Sequence, residues 1–141
     1  MVLAQPMNWM SVVGTGTANE LDVVITNRAT AQITTIDATL TPIITLPLGA
    51  TQAVFSVGGT VTVIIPSTGA GASYDFSAAI KTSGVASTEI GAEYPTTFED
   101  TSLSTANIFF VASGNNAVLQ VLGVAGTTIN WDAYLTFRQV S

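Results

Sequence analysis

The chain has 141 residues, which is enough for one domain with its own hydrophobic core. It contains neither Cys nor His, so disulfides and thiolate or imidazole metal sites are excluded, together with the commonest general base. Only 9% of the residues are charged and the net charge is −6, with Arg28, Lys81 and Arg138 as the only cations. Cations this few and this far apart in sequence are not expected to bind nucleic acid or an anionic membrane directly.

The N-terminal residues 1–14 are apolar without a clear strand register, and they are expected to form either an arm or an edge strand. An arm would cross onto a neighbouring subunit, with Met7, Trp9 and Met10 as contact residues. The segment lacks the basic start of a signal peptide, and no apolar run reaches the ~20 residues of a transmembrane helix. The mean hydropathy of +0.51 therefore indicates a surface that other subunits cover.

The remaining residues, 15–141, form one predicted domain in which β-branched residues and period-two alternation dominate. Strands are predicted at 22–26, 32–40, 43–46, 52–57, 60–65, 73–81, 107–112, 117–124 and 127–139. A turn is expected at 27–30, and Gly58-Gly59 predicts a hairpin. Pro42 and Pro47 make the segment between them an edge strand or an extended loop. Residues 83–106 are predicted to be a long surface loop with one short strand near 88–92.

The last two predicted strands are expected to form a closing hairpin. The turn between them is short, with Gly126 in the left-handed conformation. Alternation in the last strand places Trp131 in the core and Tyr134 on the exposed face, and the other residues divide likewise (Leu135 and Phe137 inward, Asp132 and Arg138 outward). The strand before it is apolar on both faces apart from Gln120, which indicates cover by a second molecule. Gln120 and Tyr134 are therefore further predicted contact residues.

Short strands at regular turn spacing predict an all-β protein, a single antiparallel β-sandwich of about eight to nine strands.

Acidic residues cluster in the predicted loop: Glu89, Glu93, Glu99 and Asp100. Calcium binding needs oxygen ligands that converge on one point, and these residues lack the spacing of a calcium loop. A solvated acidic loop is the favoured interpretation, so no metal and no cofactor are expected.

Two further functions, glycoside hydrolysis and sugar binding, are considered and are less favoured. Asp75 and Asp132 could provide the paired carboxylates of a glycosidase, but no motif supports an acid–base pair, so catalysis is not expected. The aromatic residues Trp9, Tyr94 and Tyr134 could stack on a sugar. Contact between subunits, in which Tyr and Trp are enriched, is the favoured alternative.

The segment from Asn115 to Tyr134, NNAVLQVLGVAGTTINWDAY, resembles the closing hairpin of β-rich virion proteins of tailed bacteriophages. In that group an NxVxLxVxGxxGTTIxWxAxL-type pattern ends jelly-roll modules of head-decoration (cement) proteins and of tail-fibre or tail-spike domains. The resemblance covers about the last 30 residues. It implies a jelly-roll-like sandwich and a homo-oligomer, usually a trimer.

The resulting functional hypothesis is a capsid decoration (cement) subunit made in the host cytoplasm and bound to the exterior of the virion. Its partners would be other copies of itself, as a homotrimer, and the major capsid protein. The alternative is a tail-fibre or adhesin module that binds a host surface glycan. The absence of coiled-coil heptads favours the head position.

Overall fold

The computed structural model describes residues 11–13 and 24–141, with side chains from residue 27 onward. These residues form nine strands: β1 (Ser11–Val13), β2 (Val24–Thr35), β3 (Leu40–Pro47), β4 (Ala53–Ile64), β5 (Gly71–Thr82), β6 (Ser87–Glu99), β7 (Asn107–Ser113), β8 (Asn116–Leu122) and β9 (Ile129–Val140). One 3-10 turn follows β6 at Thr101–Leu103. This part of the chain has no helix long and apolar enough to cross a membrane.

The strands form two antiparallel sheets that enclose one core. The larger sheet has the order β1-β2-β9-β4-β5-β6, and the smaller has the order β3-β8-β7. One cluster of buried apolar side chains from both sheets fills the space between them. The predicted all-β antiparallel sandwich is confirmed. The predicted boundary at residue 14 lies outside the described residues.

Strand pairing follows a jelly roll in part. β2 pairs with β9 in one sheet and β3 pairs with β8 in the other, which is the nested pairing by which a jelly roll winds. The next nested pair would join β4 to β7. Instead, β4 continues into β5 and β6 through successive hairpin pairings, while β7 pairs with β8.

Two local predictions are confirmed. β5 alternates as expected, with Tyr74, Phe76 and Ile80 buried. The segment between Pro42 and Pro47 lies in β3, which is an edge strand of the three-stranded sheet.

Two predicted turns are wrong. Residues 27–30 lie inside β2, which pairs with β9 without interruption from Asn27 to Thr35. Ala29 is buried there between exposed neighbours, so the strand alternation continues through small residues. Gly58-Gly59 lies in the middle of β4, which pairs with β5 along its whole length. Gly59 makes room for the neighbouring strand β9, and no turn is formed here.

The predicted loop at 83–106 is wrong in part, because the short strand predicted near 88–92 exists but extends over Ser87–Glu99. Its central part is β6, a 13-residue edge strand that pairs with β5. Two irregularities in the register, near Ile90 and near Tyr94-Pro95, break the apolar alternation that would otherwise indicate a strand. The backbone N–H of Phe110 donates to the Tyr94 hydroxyl at 2.8 Å, which links β6 to β7 of the other sheet.

The closing hairpin is wrong in its pairing, although its turn is correct. Gly126 has a φ of 68°, and the Thr127 N–H donates to the Val124 carbonyl at 3.1 Å. However, β8 pairs with β3 and β7, whereas β9 pairs with β2 and β4. The turn therefore carries the chain from one sheet to the other. The inner faces of β8 and β9 meet across the core instead of lying side by side.

The core includes the side chains that the alternation of β9 predicts. Trp131 is 1% exposed, and Leu135 and Phe137 are also buried. Tyr74 is buried beneath β6, and its hydroxyl donates to Glu99 Oε2 at 3.1 Å. Burial, followed by the contact with Glu99, raises the pKa of the Tyr74 hydroxyl well above its usual range.

Candidate functional site

The outer face of the six-stranded sheet is rich in hydroxyl and amide groups. Alternate residues of each strand point away from the core, so the outward residues of β2, β9, β4 and β5 lie side by side on one surface. We call this surface the polar face. Its polar residues are Arg28, Thr30, Gln32, Thr34, Ser56, Thr60, Thr62, Ser73, Asp75, Ser77, Lys81, Asn130, Asp132, Tyr134, Thr136 and Arg138, and it also carries the exposed apolar side chains of Val54, Ile64 and Val140.

Tyr134 lies near the middle of the polar face. Its neighbours across the strands are Thr30 on β2 and Thr60 on β4, and Asp75 of β5 follows in the same row. The Thr60 hydroxyl donates to Asp75 Oδ1 at 2.9 Å. Tyr134 is 42% exposed. An aromatic ring is thus presented to solvent between short hydroxyl side chains, which leave its surroundings open.

A shallow depression of about 550 Å³ lies on the same face, one to two rows from Tyr134, which does not line it. The side chains around it are Gln32, Thr34, Thr62, Ile64, Asn130 and Asp132. Gln32 Nε2 donates to Asp132 Oδ1 at 3.1 Å, and the Thr34 hydroxyl donates to Asn130 Oδ1 at 2.8 Å. These hydrogen bonds orient the amides and the carboxylate, which keep further donor and acceptor positions for a ligand.

The outer face of the three-stranded sheet has the opposite chemistry. β3, β7 and β8 contain no charged residue at all. The outward side chains of this charge-free face include Leu40, Pro42, Phe109, Val111, Val118, Gln120 and Leu122. Leu40 is 44% exposed. An apolar sheet face without charges is typical of a contact between protein subunits.

The predicted contact residues do not form one site. Gln120 is half-buried at the centre of the charge-free face, whereas Tyr134 lies on the polar face at the other side of the sandwich. Met7, Trp9 and Met10 lie outside the described residues. Of the three aromatic residues considered for sugar stacking, Trp9 also lies outside the described residues, and the hydroxyl of Tyr94 accepts a hydrogen bond from the backbone of β7.

The acidic residues of the predicted loop are spread along β6. Glu89, Glu93 and Glu99 occupy separate positions of the strand, and Asp100 follows it and accepts a hydrogen bond from the Gly71 N–H. The described residues contain no group of three or more acidic side chains that could hold a metal ion.

The carboxylates considered for catalysis lie two strands apart, Asp75 on β5 and Asp132 on β9, with β4 between them. Each accepts a hydrogen bond from a neighbouring side chain, Thr60 and Gln32 respectively. In the described part of the chain, every buried side-chain nitrogen and oxygen has a hydrogen-bond partner. The polar groups free to meet a ligand are therefore those of the surface.

The turn predicted at residues 27–30 misses the contribution of Arg28 and Thr30 to the polar face, whereas alternation correctly predicts the outward residues of β5 and β9. Alternation alone would have placed Arg28, Thr30 and Gln32 on the same side of one strand. Their position next to Tyr134 depends on the pairing of β2 with β9, which joins residues about 100 positions apart.

No protein-family model matches the chain, and no curated protein matches it in sequence. Among solved structures, the chain is similar to the tailspike protein of Acinetobacter baumannii phage AM24, with 9% identity and a TM-score of 0.44 over 79% of this chain and 26% of that one. It is also similar to tailspike gp49 of the Acinetobacter baumannii bacteriophage Fri1, a capsular polysaccharide depolymerase, with 14% identity and a TM-score of 0.48 over 90% of this chain and 19% of that one. A Bacillus endospore appendage, a disulfide-linked pilus, gives 11% identity and a TM-score of 0.32 over 96% of this chain and 95% of that one.

The chain thus spans about a fifth to a quarter of the length of the two tailspike proteins. All three TM-scores lie below 0.5, and the function therefore has to be argued from the chain's own residues.

Proposed function

We propose that the protein is a structural β-sandwich module of a tailed-phage particle, of the tail-fibre or adhesin kind, whose polar face binds a glycan on the host surface. The observation that carries the proposal is the exposed ring of Tyr134 among hydroxyl and amide side chains. The virion context is supported by the resemblance of residues 115–134 to closing segments of phage β-modules.

The chemistry of a sugar matches this arrangement. A sugar ring has an apolar face of C–H groups, which packs on an aromatic ring, and hydroxyl groups around its rim. Gln32 and Asp132, one row from Tyr134, and Asn130, two rows from it, offer donors and acceptors for those hydroxyls. The Thr side chains on either side of the ring lose little rotamer freedom on binding. The ring and these short hydroxyl side chains therefore suit a flat, hydroxylated ligand.

The test is binding to an array of purified bacterial surface polysaccharides. We expect the wild type to bind at least one of them, Tyr134→Ala to lose that binding, and Tyr134→Phe to keep most of it because the ring remains. Val140→Ser is the matched control, since Val140 is 74% exposed on the same strand and face but three rows away. Binding that survives Tyr134→Ala, or a wild type that binds no polysaccharide, would contradict the proposal.

A second candidate is the capsid decoration subunit, and the charge-free face favours it. A homotrimer seated on the major capsid protein would need an apolar surface for its contacts, and this face provides one without opposing charges. Copy number in a purified particle separates the two candidates. Hundreds of copies per virion would indicate the capsid exterior, and a handful would indicate the tail.

A further inference from the structure

All three cations of the chain lie on one surface. Arg28, Lys81 and Arg138 are exposed, and the register of the six-stranded sheet places each of them on its outer side, away from the core. They are the only Lys or Arg residues in a chain of net charge −6. The whole molecule is acidic and repels anions. The surface that carries all its cations is the part of the molecule that can attract one.

Two of these cations lie within one and two rows of Tyr134, on the same side of it. Arg28 lies opposite Thr136, so it is a diagonal neighbour of Tyr134 across the β2–β9 pair. Diagonal neighbours in an antiparallel sheet are about 7–8 Å apart, which aromatic and long side chains can span. Arg138 lies on β9 one row beyond Thr136, on the same side of the strand. The ring and the two guanidinium groups therefore share one part of the polar face.

The partners across the strands leave these arginines available. Arg28 faces Thr136, and Arg138 faces Ser56, so the register places a short hydroxyl side chain opposite each cation. The acidic residues of β6 lie at the far side of the sheet, with β4 and β5 between that strand and β9. Two acidic residues belong to the polar face itself: Asp132 lies one row beyond Tyr134 in the direction away from the arginines, and Asp75 lies in the row of Tyr134 but two strands away on β5, where it accepts a hydrogen bond from Thr60.

We infer that the ligand is an acidic glycan whose carboxylate groups bind Arg28 and Arg138 while a sugar ring packs on Tyr134. This inference rests on the proposed function. Guanidinium groups present a planar pair of N–H donors that matches a carboxylate. A uronic acid carries its carboxylate on the rim of the ring, so one sugar unit offers both the apolar face for Tyr134 and the anion for Arg28. A neutral glycan would leave the arginines unused.

The experiment compares three probes: alginate oligosaccharides (carboxylated), dextran oligosaccharides of matched length (neutral) and dextran sulfate (sulfated). Affinity is measured for the full chain by calorimetry at 0.1 M and 1 M salt, where the Debye length is about 10 Å and about 3 Å. We expect alginate to bind, dextran to bind more weakly, and the alginate affinity to fall at the higher salt concentration. Tyr134→Ala should abolish alginate binding.

The arginine variants provide the sharper comparison. Arg28→Gln and Arg138→Gln should each weaken alginate binding about tenfold, as expected for the loss of one charged hydrogen-bond contact. Arg28→Lys should recover only part of the loss, because the charge remains while the planar donor pair is lost. Lys81→Gln is the matched control, since it removes the same charge from the same face but lies two strands and three rows from Tyr134. It should change the affinity little.

The outcomes separate this inference from the proposed function. Dextran that binds as tightly as alginate, through Tyr134 and without the arginines, would overturn the acidic ligand and leave glycan binding standing. Dextran sulfate that binds best and without Tyr134 would indicate simple ion exchange and would overturn the inference. If neither these probes nor any polysaccharide on the array binds through Tyr134, the proposed function fails as well. Thermal melts of each variant confirm that the fold is retained.

Discussion

Trp131 owes its fixed position to a hydrogen bond as well as to packing. Its indole Nε1–H donates to the Thr35 hydroxyl at 2.9 Å, and both side chains are buried. Thr35 ends β2 and Trp131 lies on the neighbouring β9. A buried N–H without a partner is costly, because it loses its bond to water and gains none in the protein. The pair therefore fixes the end of β2 against β9 inside the core.

We expect Thr35→Val to lower the free energy of unfolding by about 1–3 kcal/mol, because the Trp131 N–H would stay buried without an acceptor. Trp131→Ala should cost about 3–5 kcal/mol through the cavity that it leaves. The measurement is equilibrium unfolding in denaturant. Thr34→Val is the matched control. Its hydroxyl donates to the exposed Asn130, so the change should stay within about 0.5 kcal/mol. Equal stabilities of Thr35→Val and the wild type would contradict the role of this hydrogen bond.

At the scale of the strands, the two glycines in β4 differ in what surrounds them. A Cβ added at Gly59 would collide with the backbone carbonyl of Tyr134 and would lie 2.9 Å from the Cα of Leu135. A Cβ at Gly58 would meet only the Phe76 carbonyl, at an ordinary 3.6 Å. Gly59 therefore allows β4 and β9 to approach closely below Tyr134, at the centre of the polar face.

Gly59→Ala should lower the free energy of unfolding by about 1–3 kcal/mol, since β9 backbone atoms have to move to admit the methyl group. Gly58→Ala, one residue away in the same strand, should be close to neutral. Denaturant unfolding of both variants measures the difference. The displacement of β9 should also weaken glycan binding in Gly59→Ala alone. Equal stabilities of the two variants would show that the close approach is not maintained in solution.

The sequence predicts which way the residues of a strand point far better than it predicts which strand lies beside it. Alternation correctly assigns Tyr74 and Trp131 to the core, because the side-chain period depends only on the local backbone. Pairing depends on contacts between distant parts of the chain. A short turn at Gly126 is compatible both with a hairpin and with a crossing between sheets, and the protein uses the second.

The loop predicted in place of β6 is wrong for a different physical reason. This strand lies at an edge and has most of its side chains in solvent, so burial imposes no apolar alternation on it. Pro95 and the two irregularities in its register disrupt the pattern further, and such features are common where an edge must resist pairing with other chains. The hairpin predicted at Gly58-Gly59 fails for a similar reason, because Gly59 serves a close approach between strands that no local pattern reveals.

At the scale of the whole molecule, the sandwich has two faces with different chemistry. All cations lie on the polar face, while the three-stranded sheet carries no charge. The sequence alone indicates the exposure of Tyr134 and the unusual low charge, and both follow from composition and alternation. It does not indicate that Gln120 and Tyr134 lie on opposite sides, since their strands belong to different sheets. Gln120 therefore lies on the face that we propose for assembly, and Tyr134 on the face that we propose for ligand binding.

The charge-free face predicts that the protein associates with copies of itself. Copies with a net charge of −6 repel one another electrostatically. The repulsion is weakest when two charge-free faces meet, because the charges of the two copies are then farthest apart. We expect light scattering at micromolar concentration to give the mass of an oligomer for the wild type and of a monomer for Leu40→Glu. Ile64→Glu is the matched control, because Ile64 is 46% exposed, close to the 44% of Leu40, and lies on the polar face. It should leave the oligomer intact. A monomeric wild type would contradict assembly through this face, and an oligomer lost in Ile64→Glu alone would place the contact on the polar face instead.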